Sequence, residues 1–507
     1  MTSSSWARRN SMHSRRIFAA RRRRRARELT ASFVNSDAMA LVTLFLATIV
    51  LSAAADSPGR PNPSSRRFVS PAVDSAIDAL AAKMKNHNLA TIFSNALPNT
   101  LDTTVQVAGP SDTFIITGDI TAMWQRDSTN QVLPYLRYVQ QDAKLKGLFQ
   151  GLIRRQVNNL LTDPYANSFK FSATSSPSPH LSDSTTAPSF LGTTVDAMGP
   201  MIFERKYELD SLVHVLKLSY EYVAASNDTS VLDDAWVSAI ELAIQTMRDQ
   251  QAGFADEGQP PYIFQRTTPQ PTDSLSHGRG TPVKRTGMVR SAFRPSDDAT
   301  TYQFNIPANA MASVYLNRSA QLLDLVGKAS LASEARALAQ EIAAAIEAHG
   351  VIQHPTAGPV YAYEVDGYGN ALFMDDANVP SLLSLPYLGW CAPDDTLYKN
   401  TRKAVLSGAN PYFFNGTAGE GVGGPHNGYG YVWPMSIMMR ALTSTDEAEV
   451  ASALSLLEAS TAGTGFMHES FWKDSVGQYT RPWFAWANSL FGELILTVAD
   501  RYPGLLF

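Results

Sequence analysis

The sequence predicts an all-α domain, a toroid of helical hairpins whose loops build a site at one end. Three observations predict it: apolar residues recur at helical spacing in segment after segment, strand-like alternation is sparse with no βαβ order, and long polar insertions separate the helical stretches. Leu209, Leu212, Val213, Leu216 and Tyr220 follow a one-face helical pattern, and Trp483, Trp486, Ala487, Leu490, Phe491 and Leu494 repeat it near the end. Pro482 stands where a first helical turn tolerates proline.

In chain order, further helices are expected at 71–88, 128–141, 143–161, 229–251, 307–326, 331–348, 380–388, 432–443 and 446–459. No repeat of fixed period occurs, so the hairpins repeat in structure rather than in sequence. The insertions at 172–188 and 252–285 have the length of functional loops or of locally disordered segments.

Composition supports one large core. Of the 507 residues, 44% are hydrophobic and only 17% charged, which excludes global disorder. The net charge of −4 conceals a split, because ten Arg against Glu28 and Asp37 make residues 1–55 strongly basic. The remaining 32 bases face 44 acids, so the main chain repels phosphate backbones, and an uncharged ligand fits it better than nucleic acid. Cys391 is the single cysteine, which rules out an intrachain disulfide and any cysteine-based metal cluster. His468-Glu469 begins like a zinc-binding helix, but Trp472 occupies the position of the second histidine. No cofactor is expected.

The basic leader precedes an apolar stretch, residues 38–55, that ends in Ala53, Ala54 and Ala55. It reads as a secretory signal with an unusually long leader, or, if uncleaved, as a short anchor with the arginines held in the cytoplasm. Both readings send the rest of the chain into the secretory pathway, and the glycosylation triplets at Asn227, Asn317 and Asn415 are compatible with that. Membrane attachment is expected only with an uncleaved anchor. Residues 56–70, rich in Pro, Ser and Gly, read as a linker to a catalytic domain at 71–507.

Charged clusters inside apolar helical sequence mark where chemistry belongs, since unpaired buried charge is costly. Five qualify: Gly118–Ser128 with Trp124, Arg126 and Asp127; Glu204–Ser211 with Glu208 and Asp210; Phe293–Asp298 with Arg294, Asp297 and Asp298; Met374–Asn378 with Asp375 and Asp376; and Gly465–Phe471 with His468 and Glu469. Glycosidic cleavage needs such a mixture, one carboxylic acid to protonate the departing oxygen, a second carboxylate to activate water or attack carbon, and aromatic faces to cover the sugar.

Each cluster also has a plainer reading. Arg126-Asp127 suits a buried ion pair as well as a ligand contact, and Glu208 and Asp210 suit a helix N-terminus whatever the function. Asp297 suits a helix cap, yet adjacent buried carboxylates raise one another's pKa, as a general acid requires. Glu469 among aromatics favours function, whereas the run Trp472, Trp483, Phe484, Trp486 and Phe491 favours core. Gly419–Gly424 matches a dinucleotide pattern by letter, but Pro425 follows and a loop fits better. The aspartate pairs at 297 and 375 lack the basic surroundings of magnesium-dependent prenyl chemistry.

GDITAMWQRDSTNQVLPYL (118–136), FERKYELDSL (203–212), SAFRPSDDATTYQFNIPANAM (291–311), ALFMDDANVPSLLSLPYLG (371–389), GYVWPMSIMMRALTSTD (430–446), GTGFMHESF (463–471) and TRPWFAWANSLFGELI (480–495) together resemble glycoside hydrolase family 125, the metal-independent exo-α-1,6-mannosidases. The resemblance runs from about residue 70 to the C-terminus. It implies an (α/α)6 barrel of the six-hairpin glycosidase type, removal of terminal α-1,6-linked mannose from glycans with inversion, and no metal. It puts the general acid at Asp297 or Asp298 and the base at Glu469. Inversion then requires carboxyl groups roughly 6.5–9.5 Å apart, against about 5–5.5 Å for retention. Trp124, Arg126, Asp127, Glu208, Asp210, Arg294, Asp375, Asp376, Asn378 and His468 become candidates for the mannose pocket. A helical-barrel glucosidase, trehalase-like or glucoamylase-like, and a non-catalytic glycan binder are the alternatives.

Overall fold

The computed structural model of the protein describes residues 59–188, 194–195, 198–256 and 262–507, all within one compact unit, Pro58–Phe507. The expected leader and apolar segment lie outside the described residues. Residues 59–70 do not run free as a linker would: Arg60 Nε donates to Asp102 at 2.7 Å and pairs with Asp74, and the Arg67 and Phe68 amides bond back to Asp102 and Leu101.

The helices are α1 (Pro71–Ala81), α2 (His87–Ala96), α3 (Gln125–Asn130), α4 (Ala143–Thr162), α5 (Leu209–Ser226), α6 (Asp234–Asp249), α7 (Ile306–Leu325), α8 (Ala329–His349), α9 (Leu385–Leu388), α10 (Thr396–Val405), α11 (Pro434–Leu442), α12 (Glu447–Ser460) and α13 (Ala485–Arg501). From α3 onward they alternate between an inner and an outer ring. The inner members α3, α5, α7, α11 and α13 are buried on nearly every face, whereas α8 buries one stripe from Ala332 through Ile342 to Ile346. Inner neighbours touch in the order α9, α7, α5, α3, α13, α11, and α2 packs against α13. This is an (α/α)6 barrel.

Capping explains several boundaries. Asn305 accepts from the Ala308 amide, Asp233 from Trp236 and Asp446 from Ala448, each satisfying an amide left free by the first turn. Two expectations are corrected by the same physics. The stretch 71–88 stops at Ala81, and Asn86 caps a new helix, α2. The helix expected at 128–141 ends at Asn130, because Pro134 lacks an amide to continue it, and a 3-10 segment, Leu133–Tyr138, follows.

Short antiparallel strands, too brief to show alternation in sequence, sit at the starts of inner helices. Met123–Trp124 leads into α3 and pairs with Ser168–Phe169, which pairs with Ile202–Glu204. Phe304–Asn305 leads into α7, and Tyr431–Val432, paired with Phe471–Trp472, precedes α11. The two polar insertions meet as a sheet, Ser184–Pro188 against Ile263–Gln265. These strands gather the charged clusters at one end of the barrel.

Candidate active site

At that end lies a cavity of about 510 Å³, within the range of small-ligand sites. Of the residues singled out from sequence, Trp124, Arg126, Asp127, Asp297, Asn378 and Glu469 line it.

Arg126, in the first turn of α3, forms its base. Its Nη1 donates to Glu208 Oε2 at 2.7 Å and lies 3.4 Å from Asp210 Oδ2, its Nη2 donates to Asp297 Oδ1 at 2.9 Å, and its Nε faces Asp127 at 3.5 Å. The Arg126-Asp127 pair is therefore both a buried ion pair and part of the cavity wall. Burial pushes the Asp127 and Asp210 carboxyls up to about 6 despite the guanidinium.

Asp297 sits on a tight turn. The Asp297 amide bonds to the Arg294 carbonyl, Pro295 occupies the second turn position, and the Asp297 backbone is left-handed at φ 67°, a conformation costing a non-glycine residue about 1–2 kcal/mol. Lys206 Nζ holds the Asp297 carbonyl at 2.9 Å, and the side chain remains 24% exposed, facing the cavity. Burial opposes its charge, but Arg126, a hydrogen bond from Glu208, Lys206 and His426 outweigh that and hold Asp297 well below the usual carboxylate range. Glu208 goes the other way, pushed well up by burial. Asp298 is buried behind the turn, with His426 Nδ1 at 3.5 Å.

Glu469 is set by a hairpin. Phe471–Trp472 folds onto Ser475–Tyr479, which returns Thr480 and Arg481 to its side. Its carboxylate accepts from Thr480 Oγ1 at 2.8 Å, Arg481 Nη1 at 2.8 Å and Asn427 Nδ2 at 3.2 Å. Three donors fix the orientation of this carboxylate.

Several expected pocket residues stand behind the wall instead. Glu208 and Asp210 touch Arg126 and not the cavity. Arg294 is locked onto Glu364 at 2.6 Å, and Glu364 in turn accepts from the Thr301 and Tyr302 amides. Asp375 accepts from the Leu382 and Leu383 amides, and burial pushes it up to about 8. Asp376 accepts from Ser296 Oγ at 2.8 Å and from Asn378, fixing that side chain. His468 stacks on Tyr479 at 3.9 Å with both ring nitrogens on carbonyls, one of them that of Arg481. Charge in apolar sequence signals burial, and a brace satisfies burial as well as a ligand contact does.

Other residues were not anticipated. His426 and Asn427 reach the cavity and Glu469 from the loop that follows the glycine-rich strand, so that stretch connects the two catalytic candidates. Gly430 beside it (φ 87°) has no room for a Cβ, which would stand 2.2 Å from the Trp472 ring. Burial lowers the His426 imidazolium, but Asp298, Asp297 and Glu469 outweigh it and raise its pKa to about 9. Phe484 and Trp486, expected as core, also line the cavity together with Trp433. The insertions contribute His180, Arg266 and Asp273: Arg266 grips Asp183 through two bonds of 2.9 and 2.7 Å, Glu204 at 2.7 Å and Asp273 at 2.9 Å, and Asp273 takes Lys206 Nζ at 2.5 Å.

A helical barrel that gathers paired carboxyls, guanidinium groups and aromatic faces around one cavity defines a glycoside hydrolase. The sequence profile of the metal-independent α-mannosidases, glycoside hydrolase family 125, matches residues 86–496. The chain is 46% identical over 463 residues to the meiotically up-regulated gene 157 protein of Schizosaccharomyces pombe, covering 88% of this chain and 89% of that one. A metal-independent α-mannosidase of Streptococcus pneumoniae, solved with α-1,6-mannobiose in a non-productive complex, superposes with a TM-score of 0.80 at 38% identity, over 86% of this chain and 99% of its own. A bacterial glucoamylase bound to acarbose shares the fold alone, at TM-score 0.50 and 13% identity, over 83% of this chain and 57% of its own. The chain belongs to the metal-independent α-mannosidase family, glycoside hydrolase family 125.

Proposed function

We propose that the chain removes terminal α-1,6-linked mannose from glycans with inversion, Asp297 protonating the departing oxygen and Glu469 activating the attacking water. The observation that carries this reading is the contrast between two carboxyls lining one cavity. Glu469, held by three donors, suits the base, whereas Asp297 faces the same cavity with Glu208 beside it on Arg126 as the source of the proton it delivers. Asp297 is preferred to Asp298 because it lines the cavity, while Asp298 faces His426 from behind the turn. The α-1,6 linkage is suggested by the sugar bound to the pneumococcal relative. Trp124 Nε1, buried without a hydrogen-bond partner among the described residues, is available to a sugar hydroxyl.

The site works in the secretory pathway in this reading, supported by the basic leader with its apolar stretch and by the exposure of Asn227, Asn317 and Asn415. Among the described residues no helix is long and apolar enough to cross a membrane.

Anomer-resolved NMR on a panel of α-mannobiosides and α-glucosides tests the proposal. β-Mannose appearing first from the α-1,6 compound is expected. The α anomer first overturns inversion, glucose release overturns the sugar, and no release overturns catalysis in favour of a glycan binder.

A further inference from the structure

We propose that Glu208 is a proton reservoir for Asp297, so that the two carboxyl groups act as one donor with a store behind it. The inference rests on the assignment of Asp297 as the acid.

The charge balance around Arg126 leads to it. Asp127, Glu208, Asp210 and Asp297 all face this single buried guanidinium. The cations next to them are already engaged: Lys206 with Glu204 and Asp273, Arg481 with Glu469 and Asp119, and His426 with Asp298. Four negative charges on one cation in a water-poor site are not sustainable, and a proton must remain among them. His214, the nearest other titratable side chain on α5, has its Nδ1 on the Asp210 carbonyl and its Nε2 on Asn130 Nδ2, an acceptor's place, so burial keeps it neutral and it neutralises nothing.

Geometry selects the holder. Arg126 presents Nη1 to Glu208 and Nη2 to Asp297, which sets the two carboxyls side by side on one guanidinium. Two buried carboxyls so placed repel one another unless one of them carries a proton. Glu208 is fully enclosed, with Asn167 Nδ2 at 3.2 Å and Ser211 Oγ at 2.8 Å, while Asp297 faces the cavity. The resting proton therefore belongs to the inner group. In the reaction the Glu208 proton crosses to Asp297 as the C1–O bond breaks, the electron pair of that bond stays on the departing oxygen, and that oxygen takes the proton from Asp297. Glu469 takes a proton from water as the new C1–O bond forms, and after product release Glu469 loses it to solvent while solvent restores the proton of Glu208.

The test compares Glu208→Gln and Asp297→Asn on α-1,6-mannobiose and on 2,4-dinitrophenyl α-mannoside, whose leaving group needs no proton. Glu208→Gln is expected to slow the disaccharide by roughly ten- to a hundredfold while changing the aryl substrate less than about threefold. Its basic limb in kcat/KM should move to lower pH, because Asp297 without a like-charged neighbour loses its proton more easily. Equal slowing of both substrates, or an unmoved limb, with Asp297→Asn still selective, overturns the reservoir alone. If Asp297→Asn slows both substrates alike, the acid assignment falls as well. If Glu208→Gln yields no folded protein, Glu208→Asp replaces it, with selective slowing of the disaccharide expected and equal slowing of both substrates refuting the reservoir.

Discussion

Replacing Glu469 by Gln separates the charge of this group from its shape. The amide keeps the volume and one acceptor, while Arg481 loses an ionised partner at 2.8 Å but keeps Asp119 at 3.1 Å. Thr480 can rotate its hydroxyl, so the cost to the fold is that of one weakened charge-assisted bond, about 1–2 kcal/mol. Catalysis loses the base, worth about 10²–10⁴-fold or about 2.7–5.4 kcal/mol of barrier. Release of mannose from α-1,6-mannobiose, followed by a reducing-sugar or coupled assay, should fall by that factor while binding of the disaccharide stays measurable by calorimetry. A second variant, Glu469→Gly with added azide, should regain turnover and yield β-mannosyl azide, since an anion attacking the face opposite the leaving group needs no base. Hydrolysis by Glu469→Gln within about tenfold of the parent, or an α-configured azide product, refutes the assignment.

His426 gives a pH signature of stability. Its folded-state pKa of about 9 lies above the unfolded value of about 6.5, so its stabilisation is full below the lower value and is lost as pH rises through the upper one. The melting temperature of His426→Gln should therefore fall furthest below the parent in acid and converge with it above about pH 9, and a constant gap contradicts the charge pairing with Asp298. Arg266→Met removes the grip on Asp183, Glu204 and Asp273. Limited proteolysis should then cut first within 172–188 or 252–285 while the barrel resists, and a cleavage pattern like the parent's shows that the grip is dispensable.

How far the sequence is legible depends on how local the cause is. Inner helices such as α5 and α7 are readable because burial on all faces leaves a continuous apolar pattern, and the boundary at Asn305 is marked by its own cap. The break before α2 is less so, since only the Asn86 side chain interrupts an otherwise helical run. In the site, Arg126, Asp127, Asp297, Asn378 and Glu469 announce themselves as charge or amide in apolar motifs, yet so do Arg294 and Asp375, whose partners are Glu364 and backbone amides. Telling wall from brace requires tertiary distances. His180, Arg266 and Lys206 acquire their roles only when the two insertions pair, and His426 and Asn427 were hidden in a glycine-rich loop whose composition signals only a turn.

The two ends of the chain meet in the ring, with α13 against both α2 and α3 and the Lys85 amide on the Leu506 carbonyl. Synthesis runs from one end to the other, so a nascent chain carries Trp124 and Arg126 long before Glu469, Arg481 and Trp486 emerge from the ribosome. Until those final segments arrive, the growing polypeptide has an unsealed seam and half a pocket, and competence to act on sugar waits on the last residues made.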